Sequence, residues 1–167
     1  MELNDIYDKD RKLTGRIHRR GTPWGKGEYG LVVCVWVYDG KGRVLMTRRA
    51  PQKSFAGTWE NSGGAVRAGE TSLQAIAREL REETGIFAEE EEFKLLAVGR
   101  DRVCHYDFYC LCRSVDTPVT LQPGETDDYK WVTYEEIHEM IENKQICKVI
   151  AKQFIRQEPL LRQLDTI

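Results

Sequence analysis

One segment constrains this chain more than any other: a glycine-rich loop followed by a well-marked helix, within residues 64–86. Thr71 and Gln74 have the spacing of a capping box. Gly85 stands where a left-handed helix C-cap belongs. Between them, apolar residues recur at helical spacing and form one face. The pattern predicts a helix over residues 72–84 that packs against a core and begins directly after a flexible loop.

The predicted helix carries three glutamates in five positions, Glu79, Glu82 and Glu83. At about 100° per residue they fall within an arc of roughly 100°, beside the apolar face. Like charges at this spacing repel, and anions near a helix C-terminus are unfavourable. A bound divalent cation would offset both the repulsion and the unfavourable position near the helix C-terminus. Oxygen ligands suit Mg²⁺ or Mn²⁺ rather than zinc. A solvated acidic face is the alternative; the glycine loop, with Glu70 and Arg78 placed to pair across its junction with the helix, favours a site.

Runs of predicted strands alternate with helices along the rest of the chain. The strands are predicted at residues 3–8, 13–18, 31–38, 43–49, 94–100, 105–115 and 129–133, with a short one near Trp59. The β-branched run 31–38 is typical of a strand buried on both faces, and we expect it to form a hairpin with 43–49. Further helices begin near residues 133 and 147, and Pro159 is expected to interrupt the second. The pattern predicts an α/β (α+β) fold with helices packed on a mixed sheet.

Length and charge narrow the classes of function. The 167 residues predict one domain, with residues 1–28 as an N-terminal hairpin extension. A net charge of −2 gives no electrostatic reason to expect a nucleic-acid polymer as partner. No apolar run is long enough for a membrane span, no signal peptide is visible, and the five scattered cysteines do not indicate a disulfide framework. We therefore expect a cytoplasmic protein without a membrane partner. Its N-terminal hairpin could add a strand to a second copy and form a homodimer.

Nine positions in residues 64–86 resemble the signature of the Nudix hydrolases. The matching residues are Gly64, Glu70, Arg78, Glu79, Leu80, Glu82, Glu83, Gly85 and Ile86. The resemblance extends over most of the chain and implies an α/β/α sandwich with a mixed sheet. It also implies an enzyme that hydrolyses a diphosphate linkage in a nucleoside diphosphate derivative or a related small phosphorylated molecule. The cofactor implied is Mg²⁺ or Mn²⁺.

The resemblance assigns roles by position. Glu79, Glu82 and Glu83 are the implied metal ligands, and the carbonyl of Gly64 is expected to face the metal as well. Glu70 and Arg78 are the implied ion pair that holds the loop and orients the helix, and we count both with the catalytic residues. The general base is implied to be either a glutamate of the helix, such as Glu82, or a carboxylate on a loop before a late strand.

A late loop supplies that second candidate. Glu125 lies six residues before Trp131 and Asp128 lies three before it. This spacing resembles the Glu-x-x-Glu-x-x-Trp-Val pattern of many family members, with Asp in place of the second Glu. Glu125 is the first choice as an additional ligand or general base, and an acidic solvated turn is the alternative.

A narrower resemblance links residues 5–19 and 48–60 to the isopentenyl-diphosphate isomerase branch of the superfamily. In that branch an arginine and a lysine four residues later hold the diphosphate, and Arg49 and Lys53 have this spacing. The isomerases use a cysteine in a Cys-Ser-His-Pro stretch after the tryptophan, where this chain reads WENSGG. Hydrolysis is therefore the main hypothesis. Isomerase-like activity and a non-catalytic nucleotide-binding module are the alternatives.

Overall fold

The computed structural model describes residues 1–166, which form a small two-stranded sheet and a larger mixed sheet with helices. The strands are β1 (Leu3–Tyr7), β2 (Leu13–Arg19), β3 (Gly30–Tyr38), β4 (Arg43–Arg49), β5 (Trp59–Glu60), β6 (Ser62–Ala65), β7 (Lys94–Arg100), β8 (Cys104–Cys112) and β9 (Thr126–Thr133). The helices are α1 (Ser72–Thr84), α2 (Tyr134–Glu142) and α3 (Lys148–Leu164), with a short 3₁₀ turn at Glu90–Glu92.

Strand β3 lies at the centre of the larger sheet. It pairs in parallel with β8 along its whole length and in antiparallel fashion with the short strand β6. Strand β7 pairs with the other side of β8, and β4 pairs with both β9 and β5. The antiparallel pair β1 and β2 forms the separate N-terminal hairpin. The mixed sheet predicted from the sequence is therefore confirmed.

The hairpin predicted between β3 and β4 is wrong beyond its turn. The two strands pair at one position, Tyr38 with Val44, and then diverge. The reason is competition for hydrogen bonds, because β8 and β6 occupy the two edges of β3 while β9 and β5 occupy those of β4. These partners lie far away along the chain, and local alternation of residue types does not reveal them.

Alternate residues of β3 enter two separate cores. Val33 and Val35 pack with Ile76 and Leu80 of α1 on one face of the sheet. Trp36 packs on the other face in the second core. That core also contains Ile137 of α2 and Phe154 and Leu161 of α3. Helices thus cover both faces, which confirms the α/β/α sandwich and explains why β3 is apolar almost throughout.

Pro159 does not interrupt the last helix, contrary to the sequence prediction. Helix α3 continues through it to Leu164. Proline removes one helical hydrogen bond, but Pro159 lies on the exposed side, while Gln157 and Leu161 on either side of it are buried. Burial of these neighbours holds the helix together across the missing bond. Within residues 1–166, no helix combines the length and the apolarity that crossing a lipid bilayer requires.

Candidate active site

Helix α1 is fixed at both ends and along its buried face. The Thr71 hydroxyl accepts a hydrogen bond from the Gln74 N–H at 3.1 Å, and the Gln74 side chain accepts one from the Thr71 N–H at 3.0 Å, which confirms the capping box. Gly85 ends the helix with a φ of 70°, a left-handed conformation that favours glycine. Ile76 and Leu80 are completely buried. The rotation of the helix is therefore set, and its glutamates lie at the edge of the core.

Arg78 connects the glycine loop to the helix. Its Nε and Nη2 donate to the two carboxylate oxygens of Glu70 at 2.7 and 2.9 Å, and Nη2 also donates to the Ala65 carbonyl at 3.2 Å. Its Nη1 donates to Glu79 at 2.6 Å and to Glu82 at 3.4 Å. Burial acts to raise the pKa of Glu70, but the hydrogen bonds from Arg78 lower this pKa below its usual value. Glu70 thus stays ionised and holds the loop against the helix.

Glu83 lies in the same site, and its buried carboxylate has fewer positively charged neighbours than those of Glu79 and Glu82. Its carboxylate accepts a long hydrogen bond, 3.3 Å, from the Gly63 N–H. Whereas Glu79 and Glu82 pair with arginines, Glu83 forms no ion pair within residues 1–166. Burial, followed by the negative charges of Glu60 and Glu79, raises the pKa of Glu83 to about 8. Burial also raises the pKa of Glu60 and of Glu79 despite their arginine partners. Without a cation, burial and the neighbouring carboxylates therefore favour the protonated form of Glu83, and a cation bound beside it would favour the ionised form.

These glutamates line a cleft of about 340 Å³. It brings together seven of the nine predicted site residues: Arg49, Lys53, Gly64, Glu79, Glu82, Glu83 and Glu125. Arg78 and Glu70 are not part of the lining and lie behind it, hydrogen-bonded to each other. Sequence reasoning missed seven lining residues, of which five have polar or charged side chains: Glu2, Arg20, Glu60, Arg67 and Gln122. Six carboxylates and four basic side chains thus line the cleft, and negative charge predominates.

Among the missed residues, Glu60 contributes most to the charge around Glu83. It follows the buried Trp59 in β5, and a carboxylate directly after a buried tryptophan and before a glycine loop is the signal that could have revealed it. Arg20 and Glu2, which form an ion pair at 2.6 Å, come from the N-terminal hairpin. No local pattern places that hairpin beside the cleft, because its position depends on tertiary packing.

The two basic residues predicted to bind phosphate both lie in the cleft, and each faces a carboxylate. Arg49 Nη1 donates to both oxygens of Glu60 at 2.9 Å, and its Nε donates to the Ser54 carbonyl at 2.5 Å. The Lys53 ammonium pairs with Glu125. A guanidinium has five N–H donors and an ammonium three, so both side chains retain donors for a phosphate.

The two acidic residues of the late loop have different surroundings. Glu125 lines the cleft opposite α1, where it pairs with Lys53. Asp128 is not among the lining residues; it lies 3.9 Å from Arg48 and accepts a hydrogen bond from the Tyr129 N–H at 2.8 Å. Of these two carboxylates, Glu125 is therefore the one in position to meet a ligand in the cleft.

The donor set fits a hard divalent cation, although Glu79 and Glu82 face arginines instead of a point that they share with Glu83. Within residues 1–166, no three His, Cys, Asp or Glu side chains converge as a ready-made metal site. Glu79 is turned to Arg78, and Glu82 lies 3.7 Å from Arg67. All the donors are oxygens, as Mg²⁺ and Mn²⁺ prefer. Rotation of the Glu79 and Glu82 side chains would replace their contacts with arginine by contacts with a cation.

Gly64 leaves the space that the Glu79 carboxylate occupies. A Cβ atom at this position would lie 2.4 Å from the carboxylate carbon of Glu79, closer than any real contact. Any other residue would therefore push Glu79 away from the loop. The requirement for glycine at position 64 thus follows from the approach of a charged side chain, not from a special backbone conformation.

The thiol that an isomerase would need is missing from the site. The segment from Trp59 to Gly64 contains no cysteine. Cys34 on the central strand is the thiol nearest in the pairing register, opposite Gly63, but burial followed by the charges of Glu60 and Glu83 raises its pKa to about 12. A thiol in these surroundings stays protonated at neutral pH and is a poor nucleophile.

Comparison with known proteins identifies the family to which these site residues belong. The family model for the NUDIX domain matches residues 28–153. An uncharacterised Nudix hydrolase of Listeria monocytogenes is 32% identical over 146 residues, covering 82% of this chain and 83% of the relative. An isopentenyl-diphosphate Delta-isomerase of Clavibacter sepedonicus is 34% identical over 149 residues, covering 81% and 76%. Members of this family generally use divalent metal ions and act on small phosphorylated substrates.

Solved structures agree on the fold. The crystal structure of DR0079 from Deinococcus radiodurans has a TM-score of 0.79 at 23% identity and covers 93% of this chain and 99% of its own. A MutT protein of Methanosarcina mazei has a TM-score of 0.60 at 25% identity, with coverage of 78% and 94%. With the family match over residues 28–153 and the carboxylate cleft that this region builds, the chain belongs to the Nudix hydrolase family and is a pyrophosphohydrolase of that type.

Proposed function

We propose that this protein hydrolyses a diphosphate linkage in a nucleoside diphosphate derivative or a related small molecule, with Mg²⁺ or Mn²⁺ bound by Glu79, Glu82 and Glu83. The observation that carries the proposal is the state of Glu83: a carboxylate held in a cleft with other carboxylates, without a basic partner within residues 1–166. Such an arrangement is unfavourable by itself and becomes favourable when a cation enters. The Gly64 carbonyl and Glu60 are further oxygen donors along the same cleft.

The bound cation would supply charge neutralisation on the diphosphate, activation of a water molecule and stabilisation of the leaving phosphate. The chain's own residues do the rest. Arg78 and Glu70 hold the glycine loop against α1, so that the ligand carboxylates keep their positions. Arg49 and Lys53 bind phosphate oxygens from the opposite wall. These contacts orient the diphosphate for attack by water at phosphorus, in which a new P–O bond forms and the bridging P–O bond breaks.

We assign the removal of the water proton to Glu125 as first candidate. It lines the same cleft as the helix glutamates but belongs to a different element, which leaves room for substrate between them. Its ion pair with Lys53 holds the carboxylate in the cleft. A glutamate of the helix remains the competing assignment, and Glu125→Gln distinguishes them because loss of the base lowers kcat while cation binding is retained.

The test of the proposed function is substrate turnover by wild type and by Glu82→Gln. The purified protein is incubated with Mg²⁺ and a panel of nucleoside diphosphates, triphosphates, sugar nucleotides and isopentenyl diphosphate. The products measured are phosphate, pyrophosphate, phosphomonoesters and isomer. We expect hydrolysis by wild type and a loss of about 10²-fold or more in Glu82→Gln. The exposed Glu139 of α2 gives a matched control, Glu139→Gln, which should hydrolyse like wild type. Equal rates in Glu82→Gln and wild type would contradict the assigned role.

The same panel separates the two alternative functions. An isomerase would convert isopentenyl diphosphate without releasing phosphate, in line with the name of the Clavibacter relative. We expect no isomer, because the segment after Trp59 contains no cysteine and burial raises the pKa of the Cys34 thiol. A non-catalytic binding module would bind a nucleotide and release nothing.

A further inference from the structure

A second cavity adjoins the catalytic cleft. It has a volume of about 200 Å³ and shares Glu60, Gly63 and Gly64 with the cleft. It lies on the face of the sheet opposite α1, between the central strands and the first turns of α3. We call it the α3 slot; its other lining residues are Val32, Cys34, Asn61, Tyr106, Val149, Ile150 and Gln153. The shared residues place the two cavities next to each other, so that a ligand with two parts can occupy the cleft with one part and the slot with the other.

Two amide side chains along the α3 slot have polar atoms without partners. Asn61 is only 4% exposed, and neither its Nδ2 nor its Oδ1 has a hydrogen-bond partner within residues 1–166. The Oε1 of Gln153 is also buried without a partner in the same part of the chain. Buried polar groups are almost always hydrogen-bonded in folded proteins, so these two amides have hydrogen-bonding capacity for a ligand or water in the cavity.

The walls of the α3 slot are mostly apolar and include one aromatic ring, Tyr106. The Tyr106 ring lies parallel to Phe108, with ring centroids 5.9 Å apart and an angle of 4° between the planes. The Tyr106 hydroxyl donates to Asp101 at 2.6 Å, which fixes the ring. Val149 and Ile150 of α3 form the facing wall. A slot with apolar walls and a few polar groups matches the composition of small-molecule sites, and an aromatic ring such as Tyr106 suits stacking with a planar ring.

We propose that the α3 slot binds the nucleobase of a nucleoside diphosphate substrate, with Asn61 and Gln153 as its specificity-determining residues. Each amide has a donor and an acceptor, and the edges of nucleobases present both. The inference rests on the proposed function, because the diphosphate then lies in the adjoining cleft. A prenyl chain would fit the apolar walls but would leave both amides without partners, so the slot favours a base.

The experiment measures the binding of non-hydrolysable probes with Mg²⁺ by calorimetry. The probes are the α,β-methylene analogues of ADP, CDP, GDP and UDP, with methylenediphosphonate as the probe that lacks a base. We expect at least one nucleotide analogue to bind wild type more tightly than methylenediphosphonate. Asn61→Leu and Gln153→Leu should each weaken that analogue about 10- to 100-fold and leave methylenediphosphonate unchanged. Gln163→Leu, at an exposed position of the same helix, should bind every probe like wild type.

The outcomes separate this inference from the proposed function. If wild type hydrolyses diphosphates but neither leucine variant changes nucleotide binding, the slot assignment is wrong and the hydrolase assignment remains. If the variants weaken nucleotide binding but wild type cleaves the diphosphate linkage of no substrate, the slot assignment holds and the hydrolase assignment fails. Equal weakening of methylenediphosphonate in both variants would show a structural role and overturn the inference. Tighter binding of isopentenyl diphosphate to Asn61→Leu, without preference for a base in wild type, would also overturn it.

Discussion

A buried carboxylate lies at each end of helix α1, and the two carboxylates have opposite surroundings. At the start of the helix, Asp107 accepts hydrogen bonds from both terminal nitrogens of Arg11 and from the hydroxyl of Ser72. At the end of the helix, Glu83 has hydrogen bonds from Ser62 and Gly63, the latter long, and other carboxylates lie nearby. Asp107 is compensated by the chain itself, and Glu83 is not.

This difference separates a structural charge from a functional one. A buried anion is costly unless ion pairs and hydrogen bonds compensate for it. The groups around Asp107 come from three elements, so its compensation holds the turn of the N-terminal hairpin to α1 and β8. Glu83 has no such function for the fold. We infer that its compensation comes from outside the chain, and that Asp107 and Glu83 will respond differently to mutation.

The largest effect is expected for Glu83→Gln on hydrolysis. Glutamine keeps the size of the side chain and an oxygen for the Gly63 N–H, but it loses the charge that a cation requires. We expect kcat/KM to fall about 10³-fold, or about 4 kcal/mol of transition-state stabilisation. Urea unfolding without metal should show stability within about 0.5 kcal/mol of wild type or above it, since no ion pair is lost. A destabilised variant with full activity would reverse our assignment.

Arg11→Ala should produce the opposite pattern. It leaves Asp107, which is 2% exposed, without its ion pair, and we expect a loss of about 3 kcal/mol in the free energy of unfolding. The matched control is Arg16→Ala, which breaks a pair with Glu28 in which the arginine is largely exposed, and should cost less than about 1 kcal/mol. Both are measured by urea denaturation. If the two variants lost the same stability, the network at Asp107 would not hold the fold.

Local sequence signals were sufficient to predict helix α1 residue by residue. They did not predict which strands pair over long distances along the chain. Thr71, Gln74 and Gly85 mark the ends of the helix within a few positions, and the structure has the helix at Ser72–Thr84 as predicted. The pairing of β3 with β8 joins residues more than 70 positions apart. The sequence therefore predicted β3 itself but paired it with β4, its neighbour along the chain.

The same limit applies to the site. The glycine loop and α1 carry their own pattern, so Gly64, Glu79, Glu82 and Glu83 could be selected from the sequence and do line one cleft. Glu60 was not selected, because the position of a carboxylate after Trp59 does not by itself show that β5 lies close enough to α1 for the Glu60 charge to act on Glu83. The absence of partners at Asn61 is likewise a property of packing, since an asparagine in a loop normally meets solvent.

Gly64→Ala is expected to have an intermediate effect that sharpens the comparison. The added Cβ meets the Glu79 carboxylate at 2.4 Å and displaces it from the cleft. Misplacement of a catalytic group by about 1 Å can cost as much as 10²-fold, so we expect kcat to fall by about 10- to 100-fold. Stability should change less than in Arg11→Ala, because the clash is with the end of a side chain. Wild-type kcat in this variant would show that the position of Glu79 is unimportant.

The smallest effect is expected for Asp128→Asn. Asp128 lies beside Arg48 and outside the cleft lining, whereas Glu125 lies within it. We expect kcat to change less than about twofold in Asp128→Asn and to fall about 10²-fold in Glu125→Gln, the range of one general base. Steady-state kinetics on the same substrate compares them directly. A larger loss of kcat in Asp128→Asn than in Glu125→Gln would contradict the assignment of the general base to Glu125.

The most direct test of the central claim is a Mg²⁺ titration of thermal stability in wild type and Glu83→Gln. A ligand that binds only the folded state adds about 2.7 kcal/mol at a concentration 100 times its Kd. For a chain of this size that raises the unfolding midpoint by roughly 5–10 °C. We predict this rise in wild type and its loss in Glu83→Gln. The same rise of the unfolding midpoint in both proteins, or no rise in wild type, would contradict the claim that these glutamates bind a cation.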